Sequence, residues 1–195
     1  MNRKKSGFTL MEMIIVVALI VIVIFITSSI FITGNRVFSD SDAKSTLQME
    51  ARDIQEELTS IGMQAICITD IEIDKKDKDT KDNILYVDKN YSDIKDKIIN
   101  KIQISGYDKD TEYSQDEGGS YRISNPKSYD IEFSGKTLSL DSKPLSNRVT
   151  SFVVIPEGID NRFANASSIE FDIVLSERNV EYPINIKLTF RNKNK

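Results

Sequence analysis

The sequence predicts an α+β chain: one long N-terminal helix, a membrane half followed by an amphipathic half, packed on an antiparallel β-sheet head. Three observations carry this. No charged residue occurs from Met13 to Thr33. Beyond Gly34, Ala43, Leu47, Ala51, Ile54, Leu58, Ile61 and Ala65 recur at spacings of three and four, one apolar stripe of a helix. Near the C-terminus, Ile169, Phe171, Ile173 and Leu175 alternate with Glu170, Asp172 and Val174, and Ile184, Ile186, Leu188 and Phe190 alternate with Asn185, Lys187 and Thr189. Alternation of that kind marks strands buried on one face.

The first element is a membrane span. Its uncharged stretch at ~1.5 Å per residue covers about 32 Å, close to the hydrocarbon thickness of a bilayer. A segment apolar on all sides has no polar face to turn to water. Arg3, Lys4 and Lys5 precede it with no comparable basic cluster directly after, so the positive-inside rule expects Met1 in the cytoplasm and the head outside. A secretory signal peptide wants a small-residue cut site after its apolar region. Thr27-Ser28-Ser29 is a poor one, because Ile30-Phe31-Ile32 resumes the apolar run. Glu12 stands at the head of the span, where a plain anchor has no use for a carboxylate, and such a group is a functional candidate whose partner should be named.

The second element is the striped helix, with Glu50, Arg52, Asp53, Gln55, Glu56 and Glu57 on its other face. Gly34 is expected to loosen it, with Asp40 or Ser41 capping a restart. Cys67 in Ile66-Cys67-Ile68 reads as a buried small hydrophobe. The head is expected to be strand-rich from about Ile84. Ile131 and Phe133 lead through Ser134-Gly135 into Thr137–Leu140; Val149 to Ile155 forms a further strand; the two alternating segments pair antiparallel through a Ser176–Pro183 connection. Tyr91 to Lys101 is ambiguous, with Ser92 a cap for one helical turn.

Composition narrows function. The chain has 195 residues, 26 basic and 30 acidic, for a formal charge of −4, which argues against nucleic-acid binding. The absence of histidine removes the commonest general base and metal ligand, and one cysteine allows no internal disulfide or thiolate zinc cluster. With no Gly-rich phosphate loop either, an enzyme is not expected, and neither is a cofactor. Asp74, Asp77, Asp79 and Asp82 alternate with lysines, whereas Asp108, Asp110 and Glu112, followed by Glu117-Gly118-Gly119, come closer to oxygen-ligand spacing. Neither has a full calcium-loop pattern, and no metal site is expected.

The stretch Gly7-Phe8-Thr9-Leu10-Met11-Glu12, with the basic leader before it and the apolar helix after it, resembles the prepilin leader motif of type IV pilins and type II secretion pseudopilins. The resemblance implies a pilin-like fold and cleavage after Gly7 by a membrane prepilin peptidase, with N-methylation of the new first residue, Phe8. It also implies that Glu12 meets the N-terminal amine of a neighbouring subunit during assembly. Cleavage discards the three basic leader residues and leaves a formal charge of −7. Residues 51–65, Asn147 to Ile155 and Thr189-Phe190-Arg191-Asn192 further resemble J-type minor pseudopilins and W-type minor pilins.

The expected organisation is therefore a leader at 1–7, a transmembrane and assembly helix at 8–34, the amphipathic half of the helix at 35–69 and an extracytoplasmic head at 70–195. Expected partners are the prepilin peptidase, other major and minor pilins, an inner-membrane assembly platform and membrane lipid. A subunit acting in filament initiation or at the tip is the first reading. An adhesive or DNA-capturing tip subunit with its own ligand and an anchored extracytoplasmic domain using a pilin-like anchor are the alternatives.

Overall fold

A computed structural model describes residues 9–73, 86–95, 98–107, 112–115, 121–124, 126–158, 160 and 162–190. The chain divides into two compact units, Met1–Ala43 and Lys44–Lys195. Helix α1 (Leu10–Gln64) runs unbroken for 55 residues. Gly34 sits inside it, and so do Asp40 and Ser41, so the expected restart does not occur. A lone glycine in a helix interior costs only about 1 kcal/mol relative to alanine, too little to end the helix by itself.

In the first unit every residue from Thr9 to Thr33 is exposed. The large apolar side chains there, from Leu10 to Ile32, have no protein cover among the described residues. Length and composition make this helix long and apolar enough to cross a membrane. Thr27 donates its hydroxyl to the carbonyl of Val23, so this polar group is satisfied within its own helix.

In the second unit the stripe does what its spacing predicts. Leu47, Ile54 and Leu58 are fully buried, and Ala51 and Ile61 nearly so. The helix ends at Gln64, short of the expected boundary at 69, because β1 (Ala65–Ile73) begins at once. Ala65 and Cys67 thus belong to a strand, and Cys67 is half-buried rather than buried.

Two sheets face this part of the helix through one apolar core. The first contains β1, β2 (Ile99–Gly106), β5 (Lys127–Ser134), β6 (Thr137–Leu140) and β7 (Lys143–Ser146), in that order. The second has β9 (Ala166–Glu177) between β8 (Val149–Gly158) and β10 (Val180–Thr189). Strands β3 (Glu112–Gln115) and β4 (Tyr121–Ser124) form a separate hairpin. All these pairs are antiparallel. Pro144, Pro156 and Pro183 lie in β7, β8 and β10, each an edge strand of its sheet, where a missing N–H breaks no ladder. This is the α+β, pilin-like arrangement expected.

The pairing of β9 with β10 matches expectation, but their connection is only Arg178-Asn179. Alternation continues almost to the turn, so the polar stretch read as a loop is strand. Between Tyr91 and Lys101 there is a 3-10 turn at Tyr91–Asp93, capped by Asn90 rather than Ser92, followed by the start of β2. The Asn90 side chain accepts from the Ser92 N–H at 3.2 Å, whereas Ser92 supplies the donor. Strand β1 was invisible to a two-residue period because its register with β2 shifts at three places.

Close approach fixes the helix on the head. A Cβ on Gly62 would lie 2.7 Å from Leu188 Cδ2, so α1 and β10 meet at a position with no room for a side chain. The β5–β6 turn uses Gly135 at φ 64, whereas the β6–β7 turn puts Asp141 (φ 48) and Ser142 (φ 67) in the left-handed region. Asp141 is anchored there: its N–H donates to the Asp130 carbonyl at 2.8 Å, and its Oδ1 accepts from the Asp130 N–H at 2.8 Å. Ser142 has no such compensation among these bonds. Ser142→Gly should therefore stabilise the chain by about 0.5–1 kcal/mol, read as a higher denaturant midpoint at unchanged slope. An unchanged or lower midpoint would refute the turn assignment.

Candidate functional site

The candidate site is the start of α1. Thr9 is its cap: the carbonyl accepts the first helical bond from the Met13 N–H at 3.3 Å, while Leu10 is the first helical residue. Glu12 is three positions on, so its side chain can turn back over the first turn. Glu12 Oε2 accepts from the Thr9 N–H at 2.9 Å and from Thr9 Oγ1 at 3.0 Å. In return Thr9 Oγ1 lies 3.3 Å from the Glu12 N–H, accepting its bond. Two donors that no helical carbonyl can reach are satisfied reciprocally, and a negative charge sits at the positive end of the helix dipole. In a segment bordering lipid this matters more than in water, because an unsatisfied backbone group there costs several kcal/mol.

Glu12 is thus held against Thr9. Gly7 and Phe8, and the basic residues Arg3, Lys4 and Lys5, lie outside the described residues. Thr9 is the residue that the assembly reading of Glu12 overlooks. Its signal is present in the sequence as Thr9-Leu10-Met11-Glu12, a Thr-x-x-Glu box ahead of an apolar run.

Residues 2–28 match the model of the prokaryotic N-terminal methylation motif. The chain carries a prepilin motif. The match supports a prepilin of the type IV pilin or pseudopilin kind, processed by prepilin peptidase and anchored in the membrane by its apolar helix. The prepilin motif belongs to structural subunits rather than to a class of catalysts. No curated protein and no solved structure matches the chain.

Among the described residues of the head, no three or more Asp, Glu or Cys side chains are grouped to hold a metal ion. Several of its carboxylates are engaged with cations and amides. Lys101 donates to Asp130 at 2.8 Å and to Glu132 at 3.0 Å, and Gln103 donates to Asp130 at 2.9 Å. Burial pushes Asp130 up, but the bonds from Lys101 and Gln103 outweigh it and hold the carboxyl below its usual range. On the second sheet, Asn185 donates to Glu170 at 2.5 Å and to Asp172 at 2.6 Å. Asp74, Asp77, Asp79, Asp82, Asp108, Asp110 and Glu117 lie outside the described residues, and of Glu112 only its place in β3 is described.

Proposed function

We propose that this chain is a minor pilin or pseudopilin that acts in filament initiation at the tip of a type IV pilus or type II secretion-like machine. Prepilin peptidase cuts after Gly7 and methylates Phe8. Residues 8–34 are the transmembrane and assembly helix, 35–69 hold the rest of the helix, and the head from 70 stands outside the cell membrane. Its partners are the peptidase, other pilins, an inner-membrane assembly platform and lipid. Glu12 pairs with the amine of a neighbouring subunit. A carboxylate and an ammonium that enter an apolar environment together offset each other, whereas either alone is costly there. The observation that carries this reading is the match of residues 2–28 to the methylation motif, continuous with a helix whose apolar side chains have no cover of their own. The segments at 51–65 and 147–155 favour the J- or W-type branch of minor subunits.

Co-expression of the full chain with a prepilin peptidase, followed by mass spectrometry of the mature N-terminus, tests the first step. The expected product begins at methylated Phe8. An uncut Met1 terminus, or a cut near Ser29, would overturn the reading.

A further inference from the structure

We propose that Thr9 is the positioning residue for Glu12, holding the assembly carboxylate at the helix start before a neighbouring subunit arrives; this rests on the pairing role proposed for Glu12. Two of the three bonds in the box need the Thr9 hydroxyl. It donates to Glu12 Oε2 at 3.0 Å and accepts from the Glu12 N–H at 3.3 Å. The third, from the Thr9 backbone N–H at 2.9 Å, needs only the peptide. Cleavage after Gly7 makes Thr9 the second residue of the mature chain, so its N–H is an amide in precursor and product alike. The box therefore survives processing. What processing adds is an ammonium one residue before Thr9.

The physical consequence is preorganisation. A glutamate side chain free to rotate loses rotamer entropy when fixed, and a carboxylate without donors is poorly tolerated beside lipid. Thr9 meets both demands within the monomer. It fixes the carboxylate over the first turn before a neighbouring amine arrives. Both bonds from Thr9 converge on Oε2, so pairing does not require the box to be dismantled. Serine retains the hydroxyl and is an equally good cap, whereas valine keeps the shape of threonine and loses both side-chain bonds.

The test uses the full chain in its host, with Thr9→Ser, Thr9→Val, Glu12→Leu and wild type compared. Mass spectrometry reads the mature N-terminus, and immunoblotting of sheared filaments reads incorporation. The Glu12 carboxyl carbon resonance of the purified mature chain in bicelles, assigned against Glu12→Gln, reads the bond itself. Thr9→Val should be cut after Gly7, shift that resonance and lower incorporation about tenfold, the scale of a lost hydrogen bond to a charged group. Thr9→Ser should keep the wild-type resonance and stay within about twofold in incorporation. A helix-start role alone would leave the carboxyl resonance in place, and that result overturns the positioning claim. Wild-type incorporation of Thr9→Val with loss in Glu12→Leu overturns this inference alone. Wild-type incorporation of Glu12→Leu overturns the pairing role and the inference together.

Discussion

Phe152→Ala should lower the unfolding free energy of the second unit by about 3–5 kcal/mol. Phe152 lies on β8 with its ring centroid 5.5 Å from that of Phe133 on β5 and 5.9 Å from that of Phe171 on β9. Phe133 belongs to the first sheet, and Phe152 and Phe171 to the second, so the three rings join the two sheets. Phe171 is fully buried, and Phe133 and Phe152 are nearly so. Truncation removes the transfer free energy of one ring, leaves a cavity, and breaks two aromatic contacts of about 0.5–1.5 kcal/mol each at most. In detergent the full chain should lose roughly 10 °C in melting temperature. Phe152→Leu, which keeps most of the volume, should cost about a third as much. A loss below about 1 kcal/mol for the alanine variant would mean that the sheets are not joined through this residue.

Arg148→Ala should cost about 2–3 kcal/mol. Arg148 lies between β7 and β8, where the chain leaves the first sheet for the second. Its guanidinium meets the Glu50 carboxylate on α1 through Nη1, and Nε lies 3.1 Å from Glu177 Oε2 at the end of β9. Ser146 donates to the other oxygen of Glu50 at 2.7 Å and accepts from the Arg148 N–H at 3.0 Å. Glu177 Oε2 is buried and takes no aligned hydrogen bond, so the charge of Arg148 is its compensation. Removing one partner of a buried ion pair costs about 3–5 kcal/mol, because the remaining charge is stranded. The three side chains here are 20–33% exposed, and water discounts the figure. Glu50→Gln in the Arg148→Ala background should be milder than the sum of the singles, since the carboxylate it removes is already unpaired. Denaturant unfolding of the full chain in detergent measures the cycle. Additive effects would show that Arg148 and Glu50 do not act together.

These two sites differ in how far sequence reasoning reaches them. The ring of Phe152 stands in the Val149–Ile155 run, which is legible as a strand from its apolar residues alone. Helical periodicity puts Glu50 on the face opposite the apolar stripe, yet it is partly buried at the margin of that stripe. A helical wheel shows which residues lie beside the stripe, but only the fold supplies an arginine nearly a hundred residues away to meet one of them. The capping box is the opposite case. Its partners are three residues apart, so all three bonds between Thr9 and Glu12 are local events that Thr-x-x-Glu already specifies.

Short-range physics accounts for the features that local patterns announce. Hydrophobic length marks the span, a period of 3.6 marks the buried face of α1, and a period of two marks β9 and β10. The prepilin motif is a contiguous string and needs no fold to be read. Long-range packing sets the division of the strands into two sheets, the start of β1 directly at the end of α1, and the shared cation at Arg148. In each, the deciding partner is remote in the chain. Strand β1 is held by a bulged register with β2, which erases the alternation that would have announced it. Gly62 is bare because Leu188, on the last strand, already occupies the space. Local periodicity records which way a side chain faces; the partner it meets there is set by packing between segments that the sequence keeps apart.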